Sequence, residues 1–523
     1  MEERKIKYPI GQQDFKTLRN RGSVYIDKTS FIKKIIDEGG QYFFLARPRR
    51  FGKSLFLSTL KYFFEGEREL FKGLFIDSID WDWESYPVLR LDLNTDSYSE
   101  PGHLDSLLDN IFKKWEKEYE VKEIADSSAT RLQNIIEAAH MKTGQQVVIL
   151  VDEYDKPLVA NINNKENIEH YRSKLSSVYS NFKSSAEHIR LVFLTGVSRF
   201  SKLSVFSDLN NIKDLTFLDE YADICGITEH EMLENLKPGI DKLAEKNRIS
   251  SDEACQELKR NYDGYRFSEN GSDIYNPWSL LNAMSDSKIA NYWNDTGMPR
   301  LVAETLKKVN ANLKAMFNSY CTDDDLKGLD LMTPQPLALL YQTGYLTIKG
   351  YNKKIKRYRL GIPNNEVKDG LFRVLLPYYV KCRSDEEAKK LVSDIVMYFI
   401  LGEADNAMKC IQAYFAGVHF KMKMDNENNF HNAFYLLMDL IGLETETESA
   451  TSDGSIDITV KTEDYIYVIE LKYDGSAEEA LRQIEDKKYD RKYQMDGRRI
   501  ICIGVNFSSK TRCIEDWKIE PKI

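Results

Sequence analysis

The chain has 523 residues, 42% of them hydrophobic and 30% charged, and a net charge of −9. That length exceeds what one core organises and points to about three or four domains of ordinary globular composition. The acidic balance excludes a protein that coats nucleic acid over its whole surface, but not one with a local basic groove. Seven cysteines are scattered with no CxxC pair, which argues against a disulfide framework or a cysteine zinc site and fits a reducing compartment. The first residues lack the apolar core of a signal peptide, and no apolar run is long enough to cross a bilayer. A cytoplasmic protein with no membrane partner is therefore expected.

In chain order, the first informative segment is 41–54, QYFFLARPRRFGKS. It reads as a buried strand at 42–46, a tight basic loop, and an amphipathic helix opened by Gly-Lys-Ser. The N–H groups of such a loop and helix start have no partners within the helix and point at an anion. Arg50, Phe51, Gly52, Lys53 and Ser54 are the expected phosphate contacts of a bound nucleotide. Lys53 would reach the β- and γ-phosphates, and the Ser54 hydroxyl would ligate Mg²⁺. The pattern GxxxxGK[ST] wants glycine where Arg47 stands; Pro48 fixes its own φ but supplies no N–H.

Further strands are expected at 88–93, 147–151, 190–195 and 215–218, with amphipathic helices at 104–119 and 129–140 among them. Such alternation implies a mostly parallel sheet covered by helices. Strand 147–151 ends in Asp152-Glu153, at the carboxyl end where open α/β sheets bind ligands. Asp152 would hold Mg²⁺ through water and Glu153 would activate the attacking water. Beyond the next strand, Thr195 or Ser198 would sense the γ-phosphate. Arg199 would stabilise transition-state charge within the chain or across a subunit interface, with a plain ion pair as the competing reading.

Thr228 and Glu231 form a capping-box pattern, and helices follow to about 317, with Pro277 and Pro299 starting or breaking elements. A helix at 336–342, a strand at 345–348, a loop at 350–356 and a return strand at 357–360 describe a winged-helix-like module. Its hairpin carries Lys353, Lys354, Lys356, Arg357 and Arg359, which reads either as a contact for DNA phosphates or as a solvated loop between strands. From 369 to 416 the pattern is helical. Asp27-Lys28-Thr29 and Arg266 are further expected neighbours of the nucleotide.

The tail reads as a helix at 430–442, a hairpin of 456–461 and 465–472, a helix at 477–488 and a strand at 499–505. Glu470 and Lys472 share a strand face, and the hairpin brings Asp457 near them. Two carboxylates on one face make a site for Mg²⁺ or Mn²⁺, and Lys472 would hold the attacking water or stabilise the charge on the phosphate. Glu427 would complete the metal site, and Gln483 and Tyr489 would line it. Lys487-Lys488, Arg491-Lys492 and Arg498-Arg499 lie close by in sequence.

These residues resemble a family of bacterial proteins that join an AAA-ATPase-like domain to a PD-(D/E)XK nuclease-like domain. The resemblance rests on Tyr8-Pro9-Ile10-Gly11, Tyr25-Ile26-Asp27-Lys28-Thr29, the 47–54 loop, Asp152-Glu153-Tyr154-Asp155, Ser207-Asp208-Leu209-Asn210-Asn211, Tyr262-Asp263-Gly264-Tyr265-Arg266-Phe267, Asn276-Pro277-Trp278-Ser279, Thr343-Gly344-Tyr345-Leu346-Thr347, Glu470-Leu471-Lys472 and Gly504-Val505. It implies that arginine and proline are tolerated in the phosphate loop. It also implies that Asp457 bears the ligand atoms although Ile456 stands where the motif has proline. The expected layout is a P-loop core at 1–225, a helical lid at 226–318, the winged-helix-like module at 319–385, a helical linker at 386–424 and a restriction-endonuclease-like α/β domain at 425–523. The expected function is an ATPase, with ATP and Mg²⁺, coupled to a metal-dependent nuclease-like domain acting on DNA or RNA. The alternative is a nucleotide-switched binding or signalling protein whose tail binds without cutting. Oligomerisation is left open.

Overall fold

Short apolar runs become strands of a parallel sheet in the computed structural model, β1 (Tyr42–Ala46), β2 (Val88–Asp92), β3 (Val147–Asp152) and β4 (Ile189–Gly196), and the charged pair β5 (Lys213–Asp214) adds a fifth. The structure describes residues 6–95, 97–100, 102–122, 125–162, 164–199, 211–293, 302, 305–306, 316–317, 319–328, 335–379, 385–416, 427–441, 443–451 and 454–522. Residues 207–210, Pro299 and the 417–426 part of the expected linker and tail lie outside them. The strand order is β2-β3-β4-β1-β5, every pair parallel. β1 and β3 are buried at every position, as strands covered on both faces must be. Helices α1 (Phe15–Asn20), α2 (Ser30–Asp37), α3 (Lys53–Phe64), α4 (Gly102–Glu118), α5 (Ser128–Thr143), α6 (Lys156–Val159) and α7 (Lys165–Ser184) alternate with the strands.

The strand expected at 215–218 does not form. Pairing with β1 stops at Asp214, whose side chain accepts the Thr216 N–H at 2.9 Å and turns the chain out of the sheet. Next come β6 (Ile227–Thr228), α8 (Glu229–Asn247), α9 (Ser251–Tyr262), β7 (Ile274–Tyr275) and α10 (Pro277–Asp286). The expected capping box is present: Thr228 accepts the Glu231 N–H and Glu231 accepts the Thr228 N–H. Met232, Leu236, Leu258 and Leu280 join these helices through one core. Lys28 ties α8 to the front of the sheet, placing its ammonium 2.6 and 2.8 Å from the two Glu231 oxygens.

The next module runs β8 (Tyr320–Cys321), α11 (Asp323–Lys327), α12 (Pro336–Gln342), β9 (Thr347–Asn352) and β10 (Arg357–Gly361), with antiparallel order β8-β10-β9. A first strand, two helices and a hairpin whose return strand lies in the middle is the winged-helix arrangement expected from the sequence.

The chain divides into two units: Met1–Gly297 with Asn318–Val367, and Met298–Phe317 with Lys368–Ile523. The helix α13 (Asn365–Tyr379) contains the last of these boundaries, between Val367 and Lys368. The second unit continues with α14 (Asp385–Ile400), α15 (Ala404–Ala416), α16 (Glu427–Leu440), β11 (Glu444–Thr451), β12 (Gly454–Lys461), β13 (Tyr465–Tyr473), α17 (Ala477–Asp486), β14 (Arg499–Ser508) and β15 (Cys513–Lys522). The sheet order is β11-β12-β13-β14-β15, and β13–β14 is its parallel pair. A parallel pair needs a crossover, and α17 supplies it. Ile484 of α17 packs with Ile466, Val468 and Cys502 on one face of the sheet. A Cβ on Gly504 would lie 2.3 Å from the Ala477 oxygen, so glycine is what lets α17 approach β14. On another face, Phe399 meets Tyr467 at 4.8 Å, and Phe430 stacks on Phe507 at 4.1 Å. Helices α14 and α16 thus form a layer of the tail's own core. Among the described residues, no helix is long and apolar enough to cross a membrane.

Candidate functional site

The loop between β1 and α3 owes its shape to two left-handed residues, Arg50 (φ 69°) and Gly52 (φ 97°). Left-handed residues in a loop turn successive N–H groups to one side, the geometry of an anion nest. The Lys53 ammonium folds over the loop and donates to the carbonyl oxygens of Arg47 (2.9 Å) and Pro48 (3.1 Å). Arg47 itself turns away. Its buried guanidinium donates to the backbone oxygens of Ala46, Thr216, Tyr221 and Ala222, and lies 4.3 Å from the centre of the Phe267 ring. The arginine at the glycine position therefore anchors the loop from behind.

A cavity of about 380 Å³ opens over this loop. Arg49, Arg50, Gly52, Lys53, Ser54 and Glu153 line it, together with residues 9–13, Asn94, Lys156, Pro277, Trp278 and Leu281. Arg50 stacks on Trp278 at 4.1 Å, and burial followed by the neighbouring Arg49 charge lowers its pKa. A second, apolar cavity of about 80 Å³ shares Pro9, Gly52, Leu55, Pro277 and Leu281 and adds Val24, Ile26, Ile224 and Ile227. Phe51 lines only this second cavity: its ring is buried against Tyr265 (4.8 Å) and Phe267 (5.4 Å). Of the expected phosphate contacts, Phe51 is thus limited to its backbone.

Asp152 is buried at the end of β3 and accepts the Thr195 hydroxyl at 2.9 Å, with Arg90 3.4 Å from its other oxygen. The two expected polar residues are brought together, and Arg90 is a partner that nothing in the local sequence pattern announces. Glu153 follows with φ 51° and reaches the large cavity. Arg199 does not reach it. Its Nε pairs with Asp214 at 2.7 Å, its N–H donates to Gln342, and it lines a different, small pocket with Arg47, Thr216 and Tyr341. Arg266 is likewise paired with Asp273 at 3.0 Å. Asp27 caps its own turn through Thr29, so it is structural in place of the expected nucleotide contact.

In the tail, the 458–469 pairing of β12 with β13 sets Asp457 opposite Glu470 one step further along. The Asp457 carboxylate accepts the Leu471 N–H at 2.9 Å. Glu470 is 2% exposed, and its pKa is pushed up to about 8, by burial first and by the Asp457 charge second. One of its oxygens accepts the Gln483 amide; the other, Oε2, is buried and has no hydrogen-bond partner among the described residues. Lys472 donates to the Gln483 oxygen at 2.5 Å. Gln483 thus bridges the acid and the lysine from α17. Glu427 is exposed at the start of α16 beside His431, 3.9 Å away. Among the described residues no three His, Cys, Asp or Glu side chains gather. The acid pair therefore stands without the third carboxylate that was expected from Glu427.

A parallel sheet with a left-handed loop over a cavity, and a tail whose Asp, Glu and Lys converge on adjacent strands, define the class. Residues 9–206 match the family described as predicted AAA-ATPase, and residues 425–517 match the PD-(D/E)XK nuclease superfamily. The chain is also 34% identical to an uncharacterized protein encoded in the vnfD 5′ region of Azotobacter chroococcum mcd 1, over 98% of this chain and 99% of the relative. The chain belongs to this family of AAA-ATPase-like proteins with a C-terminal PD-(D/E)XK nuclease superfamily domain.

Proposed function

We propose that the first unit binds ATP with Mg²⁺ and hydrolyses it, and that the tail is a divalent-metal site that cleaves nucleic acid. The observation that carries the reading is the cavity in which Gly52, Lys53, Ser54 and Glu153 converge at the carboxyl end of a parallel sheet. Lys53 would exchange the carbonyls of residues 47 and 48 for phosphate oxygens, beside the loop N–H groups. The apolar cavity beside it, walled by Val24, Ile26, Ile224 and Ile227, suits a purine base. Glu153 would take the proton of the attacking water, and Thr195 holds Asp152 in one orientation.

The donor sets fit the cations this reading requires. Ser54 on the cavity and Asp152 at the end of β3 offer hard oxygen ligands, and Glu470 offers a buried oxygen with no other partner among the described residues beside the Asp457 charge. When bound, a divalent cation supplies charge neutralisation at the phosphates and Lewis-acid activation at the scissile phosphodiester. Lys472, held by Gln483, then donates to the attacking water or to the phosphate oxygens.

ATP binding by calorimetry and cleavage of DNA and RNA in gels, with Mg²⁺ or Mn²⁺ and with or without ATP, test both halves. Lys53→Ala is expected to lose ATP binding, and Lys472→Ala to lose cleavage while keeping ATP binding. Wild-type ATP affinity in Lys53→Ala overturns the first half. Cleavage at the wild-type rate in Lys472→Ala overturns the second. Absence of cleavage by wild type under all conditions, with metal still bound, favours a tail that binds without cutting.

A further inference from the structure

We infer that the hairpin β9–β10 is a docking element for the backbone of double-stranded DNA, separate from the tail's acid–lysine site. The inference supplies a substrate grip for the proposed nucleic-acid reading and rests on that reading for its purpose. Between residues 349 and 359 there are six basic residues and no acidic one, in a chain whose net charge is −9. Lys353, Lys354, Lys356, Arg357 and Arg359 are all exposed. Lys353 lies 3.9 Å from Glu269 at its best approach. Arg357 feels the charge of Asp325 without an ion pair, and among the described residues no carboxylate lies within ion-pair distance of Lys354, Lys356 or Arg359. Elsewhere on this surface, exposed lysines such as Lys237, Lys259 and Lys409 are paired with carboxylates. Five cations gathered on one ribbon are a costly arrangement unless a polyanion meets them.

The surroundings narrow the partner. In this module the helix before the hairpin, α12, is not free to enter a groove. Ala338, Leu339, Leu340, Tyr341 and Gln342 are buried, and Gln342 bonds to the Arg199 N–H (2.9 Å) and the Leu326 oxygen (2.9 Å). Base reading by that helix is thereby excluded, and the hairpin remains as the contact. Its foot is fixed: Thr347 exchanges hydrogen bonds with the backbone of Arg266 at 2.7 and 3.0 Å, and Lys349 donates to the oxygens of Gly264 and Pro363. Tyr351 and Tyr358 pack on each other at 4.8 Å, so they are not platforms for unstacked single-stranded bases. A two-stranded ribbon about 5 Å across fits the roughly 12 Å major groove of B-form DNA, with lysines and arginines reaching phosphates on both walls. The major groove of A-form RNA is too deep and narrow to admit it.

The test is equilibrium binding of a short fluorescein-labelled DNA duplex to the full chain, in EDTA so that nothing is cut, at several potassium chloride concentrations. The variant combines Lys353→Ala, Lys354→Ala, Lys356→Ala and Arg359→Ala. Its affinity is expected to fall about tenfold or more, and the slope of log K against log salt to flatten by roughly 3, as loss of several phosphate contacts requires. An unchanged thermal melt checks its fold. The single charge reversal Lys354→Glu at the exposed tip gives a second reading, expected to weaken binding several-fold. Equal affinity and slope in wild type and variants overturns the inference, as does equal binding of duplex RNA or no binding by wild type. The tail reading fails separately: if Lys472→Ala cuts as wild type does while the hairpin variant loses binding, the tail assignment falls and the hairpin stands.

Discussion

The two acid–lysine constellations of this chain use the same residue types and opposite constructions. Around the 47–52 loop, the polar groups already have protein partners: Lys53 on two carbonyl oxygens, Asp152 on Thr195 and Arg90. In the tail, Glu470 keeps one buried oxygen with no partner among the described residues and sits beside a second carboxylate. An unsatisfied buried acid costs free energy until a proton or a cation reaches it. On the proposed reading, the first site is a shaped receptacle that would exchange internal bonds for ligand bonds, and the second would be completed by a cation.

That contrast is sharpest when each lysine is removed. Lys472→Ala deletes the donor nearest the proposed reaction, and cleavage is expected to fall about 100- to 1000-fold, the effect of losing one preorganised donor. Lys53→Ala is expected to weaken ATP by about 10- to 100-fold, as for a charge-assisted hydrogen bond to phosphate. ATP turnover in Lys472→Ala should match wild type. A drop there would break the view that the two sites are built independently.

The incomplete site has a pH signature. Glu470 holds its proton up to about pH 8, against an ordinary carboxyl value of 4.5. A divalent cation must displace that proton, so Mn²⁺ affinity measured on the full chain without nucleotide should rise about tenfold per pH unit below 8 and level off above it. The same shift acts on stability. The native state binds one more proton than the unfolded chain between 4.5 and about 8, so metal-free stability falls as pH rises through that window and is flat beyond it. Glu470→Gln should abolish both dependences and weaken Mn²⁺. A variant with the wild-type slope would move the titration to another group.

Much of this was legible in the sequence wherever one local rule decided the outcome. Uniformly apolar runs gave β1 and β3, proline and periodicity gave α12 its bounds, and the Thr228–Glu231 spacing gave the cap. That Asp457, Glu470, Lys472 and Gln483 lie together is legible because a hairpin and its following helix are close in sequence. What stayed hidden was set by distant partners or by edges. β11 and β15 are the edge strands of the tail sheet, and their sequences, ETETESAT and CIEDWKIEPK, carry no apolar run that would announce a strand. Arg199 reads as a free cation until Asp214 and Gln342 arrive from elsewhere in the chain. Glu427 was placed at the metal by its position before a helix, yet a helix start does not fix which way its side chain faces.

Arg47 gives the smallest effect and the finest distinction between the two sites. The sequence presents it as a flaw in a phosphate loop; the structure gives its guanidinium four backbone oxygens, Nη1 donating to residues 46 and 216 and Nη2 to residues 221 and 222. A lysine in that place carries three donors on a single point and cannot span both pairs, although it keeps the charge. Arg47→Lys should therefore cost roughly 2 kcal/mol of stability, the loss of one to two buried hydrogen bonds. Thermal unfolding should report it as a fall of a few degrees. ATP affinity should change by less than about threefold, because the loop carbonyls and Lys53 remain where they are. If instead affinity falls as far as in Lys53→Ala with no loss of stability, Arg47 belongs to the phosphate site. The loop would then resemble the proposed tail site, where Glu470 keeps a buried oxygen for its ligand.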